Sequence, residues 1–264
     1  MHPTHLTRRS FVASTVALAA SAALGRNAIA RQGATPAATT YPLTVTHEGG
    51  ETTLEQQPRR IAALEWHLVE DLLVLGIQPV AIADIEGYQT WVTIETELAE
   101  GVQDVGTRQE PSLEALAAAD LDLILGVGFR HMAIYDQLND IAPTIMMTAY
   151  PQEEGVTPLE DLRERLRYEG WFLDRSEAAE AAIEEMNATI DLQATRIEEA
   201  GLTGTPFVVT QAFTAENQPT FRIFSNQALV GDAISATGLD NIWTEDGGDW
   251  GFTTNTIEAF VGLP

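Results

Sequence analysis

Each predicted strand in the first half of the chain is followed by an aromatic residue or an arginine. In chain order these residues are Trp66, Tyr88, Trp91, Arg108, Phe129 and Arg130. In an open parallel sheet, ligands bind beyond the carboxyl ends of the strands. Aromatic walls with a few fixed cations suit a bulky ligand that is partly apolar and is anionic or rich in oxygen. The pattern therefore predicts a binding cleft.

The last third of the chain offers further aromatic residues for the same cleft. Trp243 precedes the run Asp249-Trp250-Gly251-Phe252, from which we take Trp250 and Phe252 as ligand-binding candidates. Each of these aromatics has an alternative place in a hydrophobic core, and for Trp66 and Trp243 the two interpretations weigh equally.

The sequence lacks the residue patterns that catalysis needs. Gly126-Val127-Gly128 is too short to cradle a phosphate, and no Gly-x-Ser-x-Gly motif is present. His67 and His131 have no partner at metal-ligand spacing, and we interpret both as structural or solvent-facing. We therefore expect neither an enzyme nor a protein-bound metal.

Strand and helix patterns alternate from residue 41. Short apolar runs such as 61–64 and 121–125 predict buried strands, and the alternation predicts an α/β fold with a mostly parallel sheet. Thr157-Pro158-Leu159-Glu160 is a capping box that begins one helix, and after Asp174-Arg175-Ser176 a second helix of about 25 residues runs to about Ala200. At 1.5 Å per residue that helix is roughly 37 Å long, enough to join two lobes.

Charge and cysteine content exclude several functions. The chain has 39 acidic residues against 14 arginines and no lysine, for a formal net charge of -25. Binding to nucleic acid or to an anionic membrane surface needs a positive face, so we expect neither. The sequence contains no cysteine, which excludes disulfides and a lipidated cysteine in this chain.

Residues 1–30 have the features of an export signal. Arg8 and Arg9 form a twin-arginine pattern ahead of an apolar run, and Ala28-Ile29-Ala30 fits a cleavage site. The run from Phe11 to Gly25 is too short to span a bilayer, which needs about 20 residues. Residues 31–40 are small and polar and predict a flexible leader.

Three stretches of the sequence resemble the iron-siderophore binding proteins of ABC importers. They are 58–91, 104–143 and 238–258, beginning Pro58-Arg-Arg-Ile, Asp104-Val-Gly-Thr-Arg108 and Gly238-Leu-Asp-Asn. The resemblance implies two Rossmann-like lobes joined by a long rigid helix. We assign 41–156 to an N-terminal lobe, 157–203 to a helical connector and 204–264 to a C-terminal lobe. The family continues well past the position of Glu258, so we expect this C-terminal lobe to be truncated.

The resemblance also implies roles for single residues. The family's ligand-contacting tryptophan falls on Trp91, its siderophore-binding arginine on Arg108 and its second-lobe tryptophan on Trp250. A tyrosine that contacts hydroxamates falls near Arg130, where this chain has none, which favours a more anionic ferric complex such as a citrate type. Glutamates that meet the permease fall on Glu114 and Glu258.

The expected function is capture of a ferric siderophore outside the cytoplasm and its delivery to an ABC importer. We expect a monomer without a cofactor, exported to the periplasm or the exterior of the cell envelope and not lipid-anchored. One alternative is a haem or cobalamin binder of the same architecture, in which Tyr88 or His131 is the axial ligand of haem. An alternative from another class is a secreted metal-dependent hydrolase, which needs a cluster of carboxylates or histidines in the cleft.

Overall fold

The computed structural model of the chain describes residues 38–150 and 155–263. The export signal predicted at 1–30 and most of the predicted leader lie outside the described residues. The described residues all belong to one compact unit.

The N-terminal lobe alternates strands with short helices. Its strands are β1 (Leu43–His47), β2 (Gly50–Leu54), β3 (Ile61–Ala63), β4 (Ala81–Ile82), β5 (Gln103–Asp104), β6 (Leu123–Val127) and β7 (Thr144–Met147). Its helices are α1 (Trp66–Val74), α2 (Ile85–Trp91), α3 (Leu113–Ala118), α4 (Gly128–His131) and α5 (Tyr135–Ile141), with a 3-10 turn at Met132–Ile134.

Two helices lead to the C-terminal lobe, which is built mainly of strands. The connecting helices are α6 (Pro158–Phe172) and α7 (Ser176–Glu199). The C-terminal lobe contains β8 (Pro206–Phe207), β9 (Val209–Ala215), β10 (Gln218–Phe224), α8 (Leu229–Ser235), β11 (Asp240–Asn241) and β12 (Phe252–Asn255), with 3-10 turns at Gly248–Trp250 and Ile257–Phe260.

Five parallel strands form the central sheet in the order β5-β4-β3-β6-β7. Within this sheet, the first strand along the chain is the central strand β3. The next two strands, β4 and β5, lie on one side of β3, and β6 and β7 lie on its other side. The strand order therefore reverses between β3 and β6. In open parallel sheets such a switch point is where ligands bind, at the carboxyl ends of the strands.

Alternate side chains of each strand enter two separate hydrophobic cores. Ile61 and Leu125 face one core, which α1, α6 and the start of α7 cover with residues such as Leu68. Ala62 and Ile124 face the other core, which α3 and α5 cover. Both faces of the sheet are buried at β3, β4, β6 and β7, which is why these four strands are short and mostly apolar, whereas the edge strand β5 exposes Gln103 and Asp104.

Side chains cap the starts of α3 and α6, and the cap of α6 is the predicted capping box. Ser112 caps α3 by accepting a hydrogen bond from the backbone N–H of Ala115. Thr157 and Glu160 form the reciprocal capping box that begins α6, with Pro158 as the first helical residue. Because α6 starts at a defined residue, its buried face is set relative to the sheet.

The segment from Met132 to Ile141 is not one continuous helix. Helix α4 begins earlier, at Gly128, and Ile134 leaves the helical conformation with φ -117° and ψ 12° before α5 begins. The His131 side chain turns inward and its Nδ1 accepts from the backbone N–H of Val127. The inward-facing ring makes Val127–His131 a compact turn at the end of β6.

The C-terminal lobe departs from the predicted mostly parallel sheet. Only β8 and β11 pair in parallel there, whereas β9, β10 and β12 form an antiparallel sheet. The two-residue turn at Glu216 and Asn217, whose φ angles are 51° and 62°, makes β9 and β10 antiparallel neighbours. A turn this short joins only antiparallel neighbours, because parallel strands need a long crossover.

The long connecting helix is present as α7, which has 24 residues and is therefore about 36 Å long. Its first turns bury Ala179 and Ile183 against the N-terminal core, and its last turn leads to β8. No helix among the described residues is both long enough and apolar enough to cross a bilayer.

Candidate ligand-binding cleft

All five strands of the central sheet are followed by a polar or aromatic residue at the same edge. The clearest are Glu65 after β3, Asp84 after β4, Arg108 after β5, Arg130 after β6 and Tyr150 after β7. Because the strands are parallel, these side chains gather above the carboxyl end of the sheet. Strands β3 and β6 flank the switch point, so Glu65 and Arg130 lie at its centre.

The carboxylate of Glu65 bridges two arginines. Its Oε1 accepts from Arg108 Nη1 at 2.6 Å, and its Oε2 accepts from Arg130 Nε at 2.8 Å. Only 6% of the Glu65 side chain is exposed, against 23% and 19% for the two arginines. Burial raises the pKa of Glu65, but the hydrogen bond and charge of Arg108 and the charge of Arg130 lower it below its usual value. The three side chains form a charged cluster that holds both guanidinium groups in place.

Trp66 supports Arg108 from one side. The guanidinium carbon of Arg108 lies 3.6 Å from the centre of the Trp66 ring, within cation–π range. Tyr88 lies beneath Trp66 in an edge-to-face contact with ring centroids 6.5 Å apart. Arg108 Nε is buried and lies 3.9 Å from Asp84 Oδ2. The stack fixes the plane of the guanidinium group, so its remaining N–H groups have a defined direction.

His131 holds the backbone of Arg108. Its Nδ1 accepts from Val127, so Nε2 carries the proton and donates to the carbonyl oxygen of Arg108 at 2.8 Å. The side chain is fully buried, and burial lowers its pKa. Arg108 also lies in the loop from Gly106 to Pro111, which an antiparallel bridge closes and where Gly106 has a φ of 93°. Arg108 is therefore held at both its backbone and its side chain.

Three aromatic rings from both lobes meet at one end of the cleft. Trp250 contacts Phe129 and Tyr150 edge-to-face, with centroid separations of 5.6 and 5.3 Å. The turn after Trp250 requires glycine, because Gly251 has a φ of 67° and a side chain there would collide with the backbone of Gln227 and Ala228. Phe129 and Trp250 are each 49% exposed, so their ring faces are available to a ligand. We call these three residues the aromatic corner.

Helix α6 forms the floor of the cleft. Arg165 lies 3.2 Å from Asp71 of α1 and 3.7 Å from Asp161. Beneath it, burial and the charge of Asp71 raise the pKa of Glu169 well above its usual range. Burial also lowers the pKa of His67 from the usual 6.5 to about 4, so this histidine is neutral at pH 7. The floor therefore presents a third arginine that is already paired.

The cleft has a volume of about 310 Å³. The described residues that line it come from both lobes and from α6, and they are Glu65, His67, Arg108, Phe129, Arg130, Ala149, Tyr150, Pro158, Asp161, Leu162, Arg165, Gln227, Ala228, Leu229 and Trp250. Mixed aromatic, cationic and amide side chains of this kind bind an oxygen-rich ligand with apolar parts.

The structure brings four of the predicted ligand residues together at the cleft: Arg108, Phe129, Arg130 and Trp250. Trp66 lies behind Arg108, and Tyr88 is 4% exposed in the core beneath it. Trp91 ends α2 and is 72% exposed. Phe252 lies on β12 and packs against Phe224, with centroids 5.5 Å apart. These four residues lie outside the set of described residues that line the cleft.

Among the cleft residues that sequence reasoning missed are Glu65, Tyr150 and Arg165. Glu65 and Tyr150 follow strands just as the predicted residues do, and applying the rule to every polar residue at a strand end finds them. Arg165 lies three residues after Leu162 on the apolar stripe of α6. An arginine at a helical core position needs a buried carboxylate, and this was the signal.

The two glutamates predicted to meet a permease are exposed. Glu114 lies in the first turn of α3 and Glu258 in the 3-10 turn at Ile257–Phe260. The Glu258 carboxylate accepts a short hydrogen bond from the Thr256 hydroxyl, which lowers the Glu258 pKa. Neither residue lines the cleft as the described residues define it. Among residues 38–150 and 155–263, no group of three or more His, Asp and Glu side chains is arranged to hold a metal ion.

Comparison with known proteins gives matches across most of the chain. A family profile described as periplasmic binding protein matches residues 61–260. The iron(3+)-hydroxamate-binding protein FhuD of Escherichia coli is 30% identical over 205 residues, which cover 77% of this chain and 66% of that protein. The Fe(3+) dicitrate-binding periplasmic protein FecB of Escherichia coli is 26% identical over 200 residues, covering 76% and 62%.

A third relative is the putative ABC transporter substrate-binding lipoprotein YhfQ of Bacillus subtilis. It is 38% identical over 108 residues, covering 40% of this chain and 33% of that protein. The chain therefore spans between about one third and two thirds of the length of these relatives.

Solved structures share the fold. The siderophore-binding protein FhuD of Vibrio cholerae, bound to Fe3+-Desferal, superposes with a TM-score of 0.68 at 25% identity, covering 76% of this chain and 74% of that one. SirA of Staphylococcus aureus with staphyloferrin B gives 0.59 at 19% identity, covering 76% and 65%, and shows the fold alone. These likenesses confirm the α/β fold and the resemblance found in the sequence, and the chain belongs to the periplasmic binding protein family.

Proposed function

We propose that the protein captures a ferric siderophore outside the cytoplasm and passes it to an ABC importer. The observation that carries this proposal is the cleft at the switch point of the sheet, where Arg108 and Arg130 face the aromatic corner. The names of the relatives support it, because FhuD and FecB of Escherichia coli are named for binding ferric hydroxamate and ferric dicitrate.

The iron arrives already surrounded by the chelator, so the protein binds the organic shell. Arg108 and Arg130 each use one N–H group on Glu65 and keep others that can donate to chelate oxygens. Hydrogen bonds from a charged donor are short and strong in a partly dry cleft. The rings of Phe129 and Trp250 cover apolar parts of the chelator. This division of roles requires no protein ligand on the metal.

Haem binding is disfavoured by the two residues that the sequence offered as axial ligands. Both ring nitrogens of His131 are engaged, one by Val127 and one by the carbonyl oxygen of Arg108. The Tyr88 hydroxyl is buried beneath Trp66. A hydrolase is disfavoured because Glu65, the most buried carboxylate of the cleft lining, is bound to two arginines that lower its pKa and leave it a poor base.

We assign residues 41–156 and 204–264 to the two lobes and 157–203 to their connector, with the ligand held between the lobes as a monomeric complex. Glu114 and Glu258 steer a basic permease surface onto the N-terminal and C-terminal lobe respectively. Four further residues remain predicted ligand residues: Trp66, Tyr88, Trp91 and Phe252. Titration of the Trp91→Ala and Phe252→Ala variants with the ferric ligand tests two of these predictions.

Export to the periplasm or envelope exterior rests on the twin-arginine pattern at Arg8 and Arg9. Amino-terminal sequencing of secreted protein is expected to begin at Arg31. Replacing Arg8 and Arg9 together by lysine is expected to abolish export, and unchanged export contradicts the twin-arginine route.

The proposed function is tested by tryptophan fluorescence titration of the purified protein. The panel contains ferric and iron-free hydroxamate, citrate and catecholate siderophores, together with haem and cobalamin. We expect saturable quenching by at least one ferric complex and weaker binding of its iron-free form. A Soret band on adding haem, with no response to any ferric siderophore, overturns the proposal.

A further inference from the structure

Glu65 lies where a negatively charged ligand would have to approach both cleft arginines. Its two carboxylate oxygens already accept from Arg108 and Arg130, at 2.6 and 2.8 Å. It is 6% exposed, and it caps the start of α1 directly after the central strand β3. A fixed internal anion therefore occupies the middle of the cationic wall.

In the rest of the cleft, positive charge is likewise paired with negative charge. Arg165, the third arginine, contacts Asp71 and Asp161. Among the described residues that line the cleft, three arginines face two carboxylates, Glu65 and Asp161, and His67 is neutral at pH 7. The lining has a surplus of about one positive charge, and Asp71 directly behind it cancels that surplus. Three arginines without partners would favour a multiply charged anion. Their pairing with carboxylates leaves the cleft with almost no net charge, so it does not favour such an anion.

We propose that Glu65 is a specificity-determining residue, which disfavours multiply anionic ferric complexes and favours neutral or weakly charged ones. This rests on the proposed function, because it concerns which ferric siderophores the cleft accepts. Glu65 takes one N–H group from each guanidinium and leaves others free to donate to the carbonyl and N–O oxygens of a chelate whose overall charge is zero. Its own charge repels each additional negative charge of the ligand.

The inference revises the interpretation of Arg130 from the sequence. A second cation near Arg108 favoured a citrate or other carboxylate complex when the arginines alone were considered. With Glu65 between them, the pair carries the charge of one cation, not two. The direction of selectivity therefore depends on the acid that follows β3.

The experiment is calorimetric titration of the wild type and Glu65→Gln with a neutral ferric trihydroxamate and with the multiply anionic ferric dicitrate. Gln keeps the size of Glu and removes its charge. In the wild type we expect the neutral complex to bind at least tenfold more tightly. In Glu65→Gln we expect affinity for ferric dicitrate relative to the trihydroxamate to rise about tenfold or more.

Glu110→Gln is the matched control, because Glu110 is exposed, lies two residues from Arg108 and lines no part of the cleft as described. It makes the same change in net charge and is expected to leave the affinity ratio unchanged. Asp161→Asn provides a second test if Glu65→Gln does not fold, since Asp161 pairs with Arg165 and its loss is expected to shift the ratio in the same direction.

The outcomes separate this inference from the proposed function. If the wild type binds neither ferric complex nor any other ferric siderophore, the proposed function fails. If the wild type binds ferric siderophores but prefers ferric dicitrate, or if neither Glu65→Gln nor Asp161→Asn shifts the ratio beyond the control, the role of Glu65 is overturned while the proposed function stands.

Discussion

His131 donates a 2.8 Å hydrogen bond from Nε2 to the backbone carbonyl oxygen of Arg108, which joins the end of β6 to the loop after β5. Both residues lie at the carboxyl edge of the sheet, but only Arg108 lines the cleft as described. We therefore expect the buried histidine to affect ligand binding through the position of the arginine.

The first prediction concerns this link. His131→Ala removes two buried hydrogen bonds and leaves a cavity, so we expect the free energy of unfolding to fall by about 2–4 kcal/mol. We also expect affinity for the ferric ligand to fall because Arg108 loses its backbone anchor. Chemical denaturation and titration measure the two effects. His131→Asn, which keeps one acceptor near the Val127 N–H, is expected to recover part of both, and wild-type affinity in folded His131→Ala protein contradicts the anchoring role.

The second prediction concerns the aromatic corner. Trp250 contributes ring surface to the cleft, so Trp250→Ala is expected to weaken binding by about 1–2 kcal/mol and to reduce fluorescence quenching. Trp250→Phe is expected to keep most of the affinity while losing most of the quenching, because Phe packs similarly and does not fluoresce as Trp does. Equal affinity for all three proteins would place the ligand away from Trp250.

The third prediction concerns acid stability. The pKa of His67 is about 4 in the folded protein because the ring is buried, against 6.5 when it is free, so the folded state resists its protonation. The folded state is therefore not destabilised by His67 above pH 6.5. As the pH falls from 6.5 towards 4, the unfolded chain binds a proton at His67 and the folded chain does not, so the free energy of unfolding decreases. The loss amounts to at most about 3 kcal/mol.

Denaturation of the wild type and His67→Gln between pH 7 and 4 measures this contribution. The other groups of the cleft floor, such as Glu169, are present in both proteins, so the difference between the two curves isolates His67. We expect the curve of His67→Gln to fall less steeply across this window. Parallel curves would mean that His67 is protonated as easily in the folded as in the unfolded chain.

The fourth prediction concerns the exposed glutamates. Glu114→Gln and Glu258→Gln are expected to lower iron uptake through the importer roughly severalfold, because rim charges mainly govern the rate of association. Ligand affinity is expected to stay within about twofold of wild type, since rim charges contribute little to binding in the cleft. Glu198→Gln, at the exposed end of α7, is the matched control for both uptake and affinity. A large loss of ligand affinity in either variant would place that glutamate at the ligand.

The strands and helices of the N-terminal sheet could be predicted because they are marked by short, local sequence patterns. Runs such as 61–64 and 144–147 are apolar on both sides, and the Thr157 capping box marks the start of α6. The β9–β10 hairpin was missed because its turn residues, Glu216 and Asn217, lack the glycine that usually signals a two-residue turn.

The residues of the site were predictable by type and position but not by pairing. Arg108, Phe129, Arg130 and Trp250 line the cleft as their positions suggested. Tyr88 follows the same rule, yet α2 turns it into the core. Glu65 bridges two arginines that lie 43 and 65 residues further along the chain, and no local pattern encodes that contact.

The central claim is that a ferric siderophore binds in the cleft against Arg108. The most direct measurement is titration of folded Arg108→Ala with the ferric siderophore that binds the wild type most tightly, with Arg59→Ala, an exposed arginine, as control. A charged hydrogen bond in a partly dry cleft is worth on the order of 1.5–3 kcal/mol. The account predicts affinity weakened roughly tenfold to a hundredfold in Arg108→Ala and unchanged in the control. Wild-type affinity in folded Arg108→Ala protein contradicts it.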